Sequence, residues 1–332
     1  MTHDEVHESI RGNVASPISK AGRSYVVTPL LQPEYTTLQE ISSTVNHWAI
    51  LKWIIHRLEA LGVRPPASSR LNQACNLLEK GVSTTPGSMD LTEEERRRAG
   101  EACRLALEFW VIVKTLTVAL VRRPAFNKLL QRSYMGRLDP EIDDQTSERA
   151  RDAQFELWLG AWFAMGNRPV RAVEPDLRVT LWFDWYAVAA KRVRSASQLL
   201  KRVQKAADQI LSCATKRGFI AISLDNYRFR AVPQAGGVGP GKEFFEVFPE
   251  LDAAESWLME NAPWVRGTLS FGLLTSWESG VDGRPAFGLS ALERVILLNS
   301  EKSLQLRLAE VLHESRLVRQ QRWQELERFA SR

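Results

Sequence analysis

Residues 170 to 192 read VRAVEPDLRVTLWFDWYAVAAKR, and no other stretch restricts the fold as much. It holds three strand-like runs, VRAVEPDL, RVTLWF and WYAVAAK, with a Pro-Asp inside the first and a lone Asp184 before the last. Each run is too short for an ordinary globular helix and carries the β-branched and aromatic residues that fill strands. A tight turn near Asp184 lets the second run return beside the third. An all-helical protein is therefore excluded.

The chain on either side sets the rest of the architecture. SERARDAQFELWLGAWFAMGN, ahead of the strands, is amphipathic, with Gly166 as a candidate C-terminal cap. A basic helix follows from Ser195 to about Thr215, with Ser195 and Gln198 as a capping box. GFIAISLDN and VRGTLSFGLLTSW are two further strands, separated by a helix near DAAESWLMENA. From Leu289 onward the charged sequence predicts helix to the end. This order predicts an α/β (α+β) domain built on a mixed sheet flanked by helices.

Upstream the pattern is helical. Capping boxes at Thr37–Glu40 and Thr92–Glu95 predict helix starts, the first helix running to about Ala60 and the second to Pro124. A shorter helix over about 69 to 80, stopped by Gly81, and another in FNKLLQRSYMGRL complete the set. The expected organisation is a flexible arm over 1–35, a helical domain over 36–140, a linker in PEIDDQTSE, a sheet domain over 145–280 and a C-terminal helical segment over 281–332.

Composition narrows the class. Hydrophobic residues make up 44% and charged residues 25%, which excludes bulk disorder. A net charge of +5 suits a polyanionic partner without proving one. Cys75, Cys103 and Cys213 are scattered and lack CxxC spacing, so they predict reduced thiols rather than a metal or redox site. MTHDEVHESIRGNV has no apolar signal stretch, and ALEFWVIVKTLTVAL is short and interrupted by Lys114. A cytoplasmic protein with no membrane span is the expectation.

Two signals carry little. GGVGPGKE fits GxxxxGK from Gly236 to Lys242, but Glu243 replaces the Mg²⁺-binding hydroxyl and Pro240 removes a backbone donor. It reads as a loop. His3, His7, His47, His56 and His313 have no metal-ligand spacing, and the tryptophans Trp158, Trp162, Trp182 and Trp185 fall at positions suited to packing.

The chemistry concentrates on the third strand. Alternation puts Ala189 and Lys191 on one face, with the charge at the end of an apolar run. Asp176, after a proline, opens the second strand, so a hairpin brings Asp176, position 189 and Lys191 together. The stretch over about 148 to 275, with FELWLGAWF, the Pro175-Asp176 dipeptide, Lys191 in AVAAKR and the basic helix SASQLLKRVQKAADQI, resembles the PD-(D/E)xK nucleases of the restriction-endonuclease-like fold. The resemblance implies Glu156 as the leading-helix carboxylate, Asp176 as the central metal ligand and Lys191 as the residue that orients the attacking water. It also implies Mg²⁺ or Mn²⁺ held by Asp176 and Glu156, nucleic acid (double-stranded DNA) as partner, and a role in restriction, repair or defence against phage.

The family has Glu or Asp where this chain has Ala189. Phosphodiester hydrolysis needs a hard cation on oxygen ligands to neutralise developing charge, and alanine deletes one of the two carboxylates. Three readings of Ala189 stand: an engineered inactivation, a natural loss, or replacement by the neighbouring Glu174 as ligand. Arg192, Arg194, Gln198, Lys201 and Lys205 are candidate phosphate contacts, the last four on one side of the helix, with Leu199, Leu200 and Val203 turned to the sheet. A non-cleaving nucleic-acid-binding protein is the first alternative. The second is an interaction scaffold, oligomerising or holding a partner protein through the helical domain or C-terminal helix.

Overall fold

In the computed structural model, the described residues are 44–83, 92–139, 144–181, 183–225, 247–279, 285–298, Glu314, Val318, Gln321 and Glu325. The arm, the Thr37–Glu40 box, the Gly236–Lys242 loop and most of the C-terminal segment lie outside them. The described helices are α1 (Thr44–Ala60), α2 (Arg70–Ser83), α3 (Glu93–Arg122), α4 (Pro124–Ser133), α5 (Gln145–Met165), α6 (Ala196–Ser212) and α7 (Phe248–Asn261). The strands are β1 (Val170–Val173), β2 (Asp176–Leu181), β3 (Asp184–Arg192), β4 (Gly218–Ser223), β5 (Val265–Ser279) and β6 (Pro285–Leu297). The protein is a mixed α/β molecule with a six-stranded sheet in the order β1-β2-β3-β4-β5-β6.

The chain forms two compact units. One comprises residues 36–167 with 275–289 and 315–332; the other comprises 1–35, 168–274 and 290–314.

Thr92 and Glu95 make the reciprocal capping box that starts α3, and Pro124 takes the first turn of α4, where its missing N–H costs nothing. Gly62, with φ of 79°, lets the chain turn after α1. Gly81, expected as a stop, lies inside α2. The predicted linker is shorter than expected: Asp144 caps α5, accepting from the Ser147 N–H at 2.9 Å. Although the sequence reading placed α5 with the sheet, its packing is helical. Phe126 and Leu116 close on Gly160, and Gln154 bonds to α2 and α3.

That last contact belongs to a buried polar cluster. Arg70 meets Glu101 at 2.7 Å and Gln154 at 2.9 Å, Arg104 bridges Glu101 and Glu108, and the Gln154 amide donates to Glu108. All five residues are buried. Arg104, Arg70 and Arg151 outweigh the burial of Glu101 and hold its carboxyl at about 2.

In the sheet unit, β1, β2 and β3 form an antiparallel meander; α6 then crosses over so that β4 lies parallel to β3, and β5 parallel to β4. The Leu181↔Asp184 pair leaves two residues to turn the β2–β3 hairpin. Gly218 packs so closely on β3 that an added Cβ would sit 2.0 Å from the Ala187 carbonyl oxygen. One sheet face is closed by α6 and α7. Ala187, Ala189, Ile220 and Ile222 share a buried cluster with Leu199, Val203, Ala206, Ala207, Leu251 and Leu258.

Two expectations change here. Residues 285–297 form β6 rather than the start of the C-terminal helix; Phe287, Leu289, Ala291, Val295 and Leu297 alternate as strand residues do, although Leu289, Leu292 and Val295 also fit a helical stripe. Ser195 precedes α6 but makes no side-chain cap; its hydroxyl instead lies 3.1 Å from that of Ser197.

Candidate functional site

The β2–β3 register runs from Leu181↔Asp184 to Leu177↔Val188. One further step sets Asp176 across from Ala189, and directly opposed antiparallel residues share a face. Lys191 lies two residues along that face. The Asp176 Oδ2 accepts the Ala190 N–H at 2.7 Å and the Lys191 ammonium at 3.2 Å. The ammonium also donates to the Ala190 carbonyl at 2.9 Å. Only 16% of the Asp176 side chain and 11% of the Lys191 side chain are exposed. Lys191 thus stands at the end of a core strand because a buried carboxylate needs a charged partner there. Burial pushes the Asp176 carboxyl above its usual range, against the pull of Lys191 and the Ala190 N–H; Glu174 adds to the rise.

Ala189 is fully buried under α6. Glu174 is exposed, two residues before Asp176, across a cis bond to Pro175. Glu156 is half-buried on α5 and belongs to the unit of residues 36–167, whereas Asp176, Ala189 and Lys191 belong to the other. Among the described residues, no three His, Cys, Asp or Glu side chains converge as a metal-holding group.

Mg²⁺ requires a near-octahedral shell of oxygens, commonly with one or two carboxylates. Asp176 supplies one carboxylate, its Oδ2 already holding an ammonium and an N–H, and position 189 supplies none. Asp176 with position 189 therefore does not by itself make the carboxylate pair that the ion commonly takes.

The basic helix is mostly as expected. Gln198, Lys201, Arg202 and Lys205 are exposed, while Leu199 and Val203 are buried. Arg194 precedes the first turn of α6, so helical spacing does not put it on the stripe. Leu200, expected against the sheet, is 41% exposed. Arg192 ends β3 and is half-buried. At the same strand end, Ser223 donates to Asp225 at 2.7 Å, a pair the sequence reading did not single out. Asp225 follows a strand terminus, and that position was its only signal.

The hairpin end of β3 carries a second group that sequence reasoning missed. Phe183 is 93% exposed. The Arg171 guanidinium lies 4.7 Å from the Trp185 ring, and that of Arg217 4.9 Å from Tyr186 and 2.7 Å from Asp184. The available signal was chemical: Phe183 lies in a short hairpin turn where Asn or Gly is the usual choice.

All three cysteines are free and buried. Among the described residues, no helix is long and apolar enough to cross a membrane. Compared with protein-family models, curated proteins and solved structures, the chain matches none.

Proposed function

We propose that the sheet unit has the restriction-endonuclease-like architecture and binds duplex nucleic acid, DNA in the first instance, without cutting it as the chain is written. The order of a three-strand antiparallel meander, a crossover helix and a parallel strand supports the architecture. The observation that carries the binding is the exposed Lys201, Arg202 and Lys205 on α6, directly after the Asp176–Lys191 corner. Ammonium and guanidinium groups on a helix surface contact phosphates, which position a duplex without reading its sequence. Asp176 keeps Lys191 in place at the strand end, where its ammonium lies beside any phosphate that reaches the corner.

Metal-dependent phosphodiester hydrolysis with Mg²⁺ or Mn²⁺ is the second reading, favoured by the Asp176–Lys191 pairing, and it requires a carboxylate at position 189. The binding reading is tested by titrating unrelated duplexes at several salt concentrations. Lys201→Ala with Lys205→Ala should weaken binding to all of them and reduce the salt slope by about two. Equal affinities and slopes in the double mutant and the wild type would leave the helix as a solvated face and favour the scaffold reading.

A further inference from the structure

Phe183 is an unusual residue for a tight hairpin turn. A two-residue hairpin turn selects residues that tolerate positive φ, not a large apolar ring. The ring is almost wholly in water, so it contributes nothing to the core. A single exposed apolar side chain is ordinary; its setting is what points to a ligand. Lys216 is exposed, and the Arg171 and Arg217 guanidinium carbons lie 4.7 and 4.9 Å from the Trp185 and Tyr186 ring centres at the same sheet end. Cation–π contact holds a guanidinium in a fixed orientation and lowers the entropy lost when it binds an anion. Asp184 neutralises part of this charge through Arg217, and Arg171 and Lys216 leave the end net positive. Gly218 sets the geometry, because only its missing Cβ lets the strand after Arg217 close on Ala187.

An exposed aromatic ring among oriented cations matches a strand of nucleic acid: the ring stacks on a base and the cations take the flanking phosphates. We propose that the β2–β3 hairpin tip is a second nucleic-acid contact, with Phe183 stacking on an unpaired base and Arg171 and Lys216 on its phosphates. The proposal rests on the binding reading of α6. Phe183 at the tip lies eight residues from Lys191, about 26 Å at strand rise. This distance matches the roughly 25 Å length of α6, whose C-terminal end leads to Lys216. The basic side of α6 therefore runs from the Asp176–Lys191 corner toward the tip, and the arrangement fits a duplex on α6 whose strand end or unpaired nucleotide reaches Phe183.

The test uses the full chain with three probes: a blunt duplex, the same duplex carrying a single-stranded overhang with 5-iodouracil, and phosphatidylglycerol vesicles. Wild type should bind the overhang substrate more tightly than the blunt one and cross-link through the peptide containing Phe183. Phe183→Ala should lose about tenfold in affinity for the overhang substrate, with its salt slope unchanged and blunt-duplex binding intact. Phe183→Tyr should retain the affinity, and Arg171→Ala should lower the slope by about one. Equal overhang affinity for wild type and Phe183→Ala overturns the proposal, as does a Phe183-dependent association with vesicles in place of the overhang. If neither duplex binds, the α6 reading has failed; if the blunt duplex binds and responds to Lys201 and Lys205 while Phe183→Ala changes nothing, the tip proposal alone has failed.

Discussion

Replacing Ala189 by Glu tests the site most directly. The position is fully exposed to core packing and not at all to solvent, with Leu199 and Val203 of α6 in the same cluster and Asp176 across the strand pair. Forcing a longer side chain into such a place costs about 1–3 kcal/mol. A second carboxylate beside Asp176 adds like-charge repulsion and desolvation. In EDTA the variant should therefore melt several degrees below wild type, at about 2–4 °C per kcal/mol for a chain unit of this size. The same carboxylates complete an oxygen pair, so Mn²⁺ at a hundred times its Kd should return about 2.7 kcal/mol, while wild type gains almost nothing. Thermal melts with and without Mn²⁺ read the stability, and plasmid nicking reads the chemistry; Asp176→Ala in the variant background should abolish both gains. Ala189→Asp, with its shorter arm, covers the case in which the Glu variant fails to fold. Equal stabilisation of wild type and variant by Mn²⁺ would refute the argument that position 189 is what the site lacks. A variant that binds metal and DNA but leaves the plasmid intact would remove the nuclease reading.

Glu101→Gln removes the carboxylate that Arg70 and Arg104 share in the helical core and should cost about 3–5 kcal/mol at neutral pH in a denaturant titration. Because its folded pKa is about 2, below the ordinary 4.5, the wild-type contribution is present above pH 4.5 and lost as pH falls toward 2. The gap between the two proteins should narrow by about 2 kcal/mol between pH 7 and pH 3, and parallel curves would contradict the ion pairing. Gly218→Ala drives a methyl into the Ala187 carbonyl and should cost about 2–4 kcal/mol, read as a lowered urea midpoint; an unchanged midpoint would show that the β3–β4 approach relaxes.

The strands from 170 to 192 were legible because turn and strand residues alternate there without competition, and the hairpin follows from Asp184 and the spacing. The meeting of Asp176, Ala189 and Lys191 was legible for the same reason, since two strand ends joined by a tight turn have one register that buries their apolar face; the ion pair between Asp176 and Lys191 was not. Residues 285–297 were not, because Leu289 and Val295 satisfy both periods and only pairing with a neighbouring strand decides. The affiliation of α5 was hidden as well. Gln154 reads as a surface residue until Arg70 and Glu108, 84 and 46 positions away, enclose it. No local pattern encodes a contact of that separation. Likewise Phe183 reads as one more strand aromatic until the turn is known to be only two residues long.

Four alanines, Ala187 and Ala189 of β3 with Ala206 and Ala207 of α6, lie in one buried cluster between strand and helix. Small side chains on both partners let a helix backbone settle low on a sheet. Each alanine relaxes the demand on its neighbours, so a bulkier residue can enter at one position only at a cost in stability or together with a second change on α6. Position 189 is then one tile of a shared floor, and what fits there is set by its neighbours as well as by any reaction.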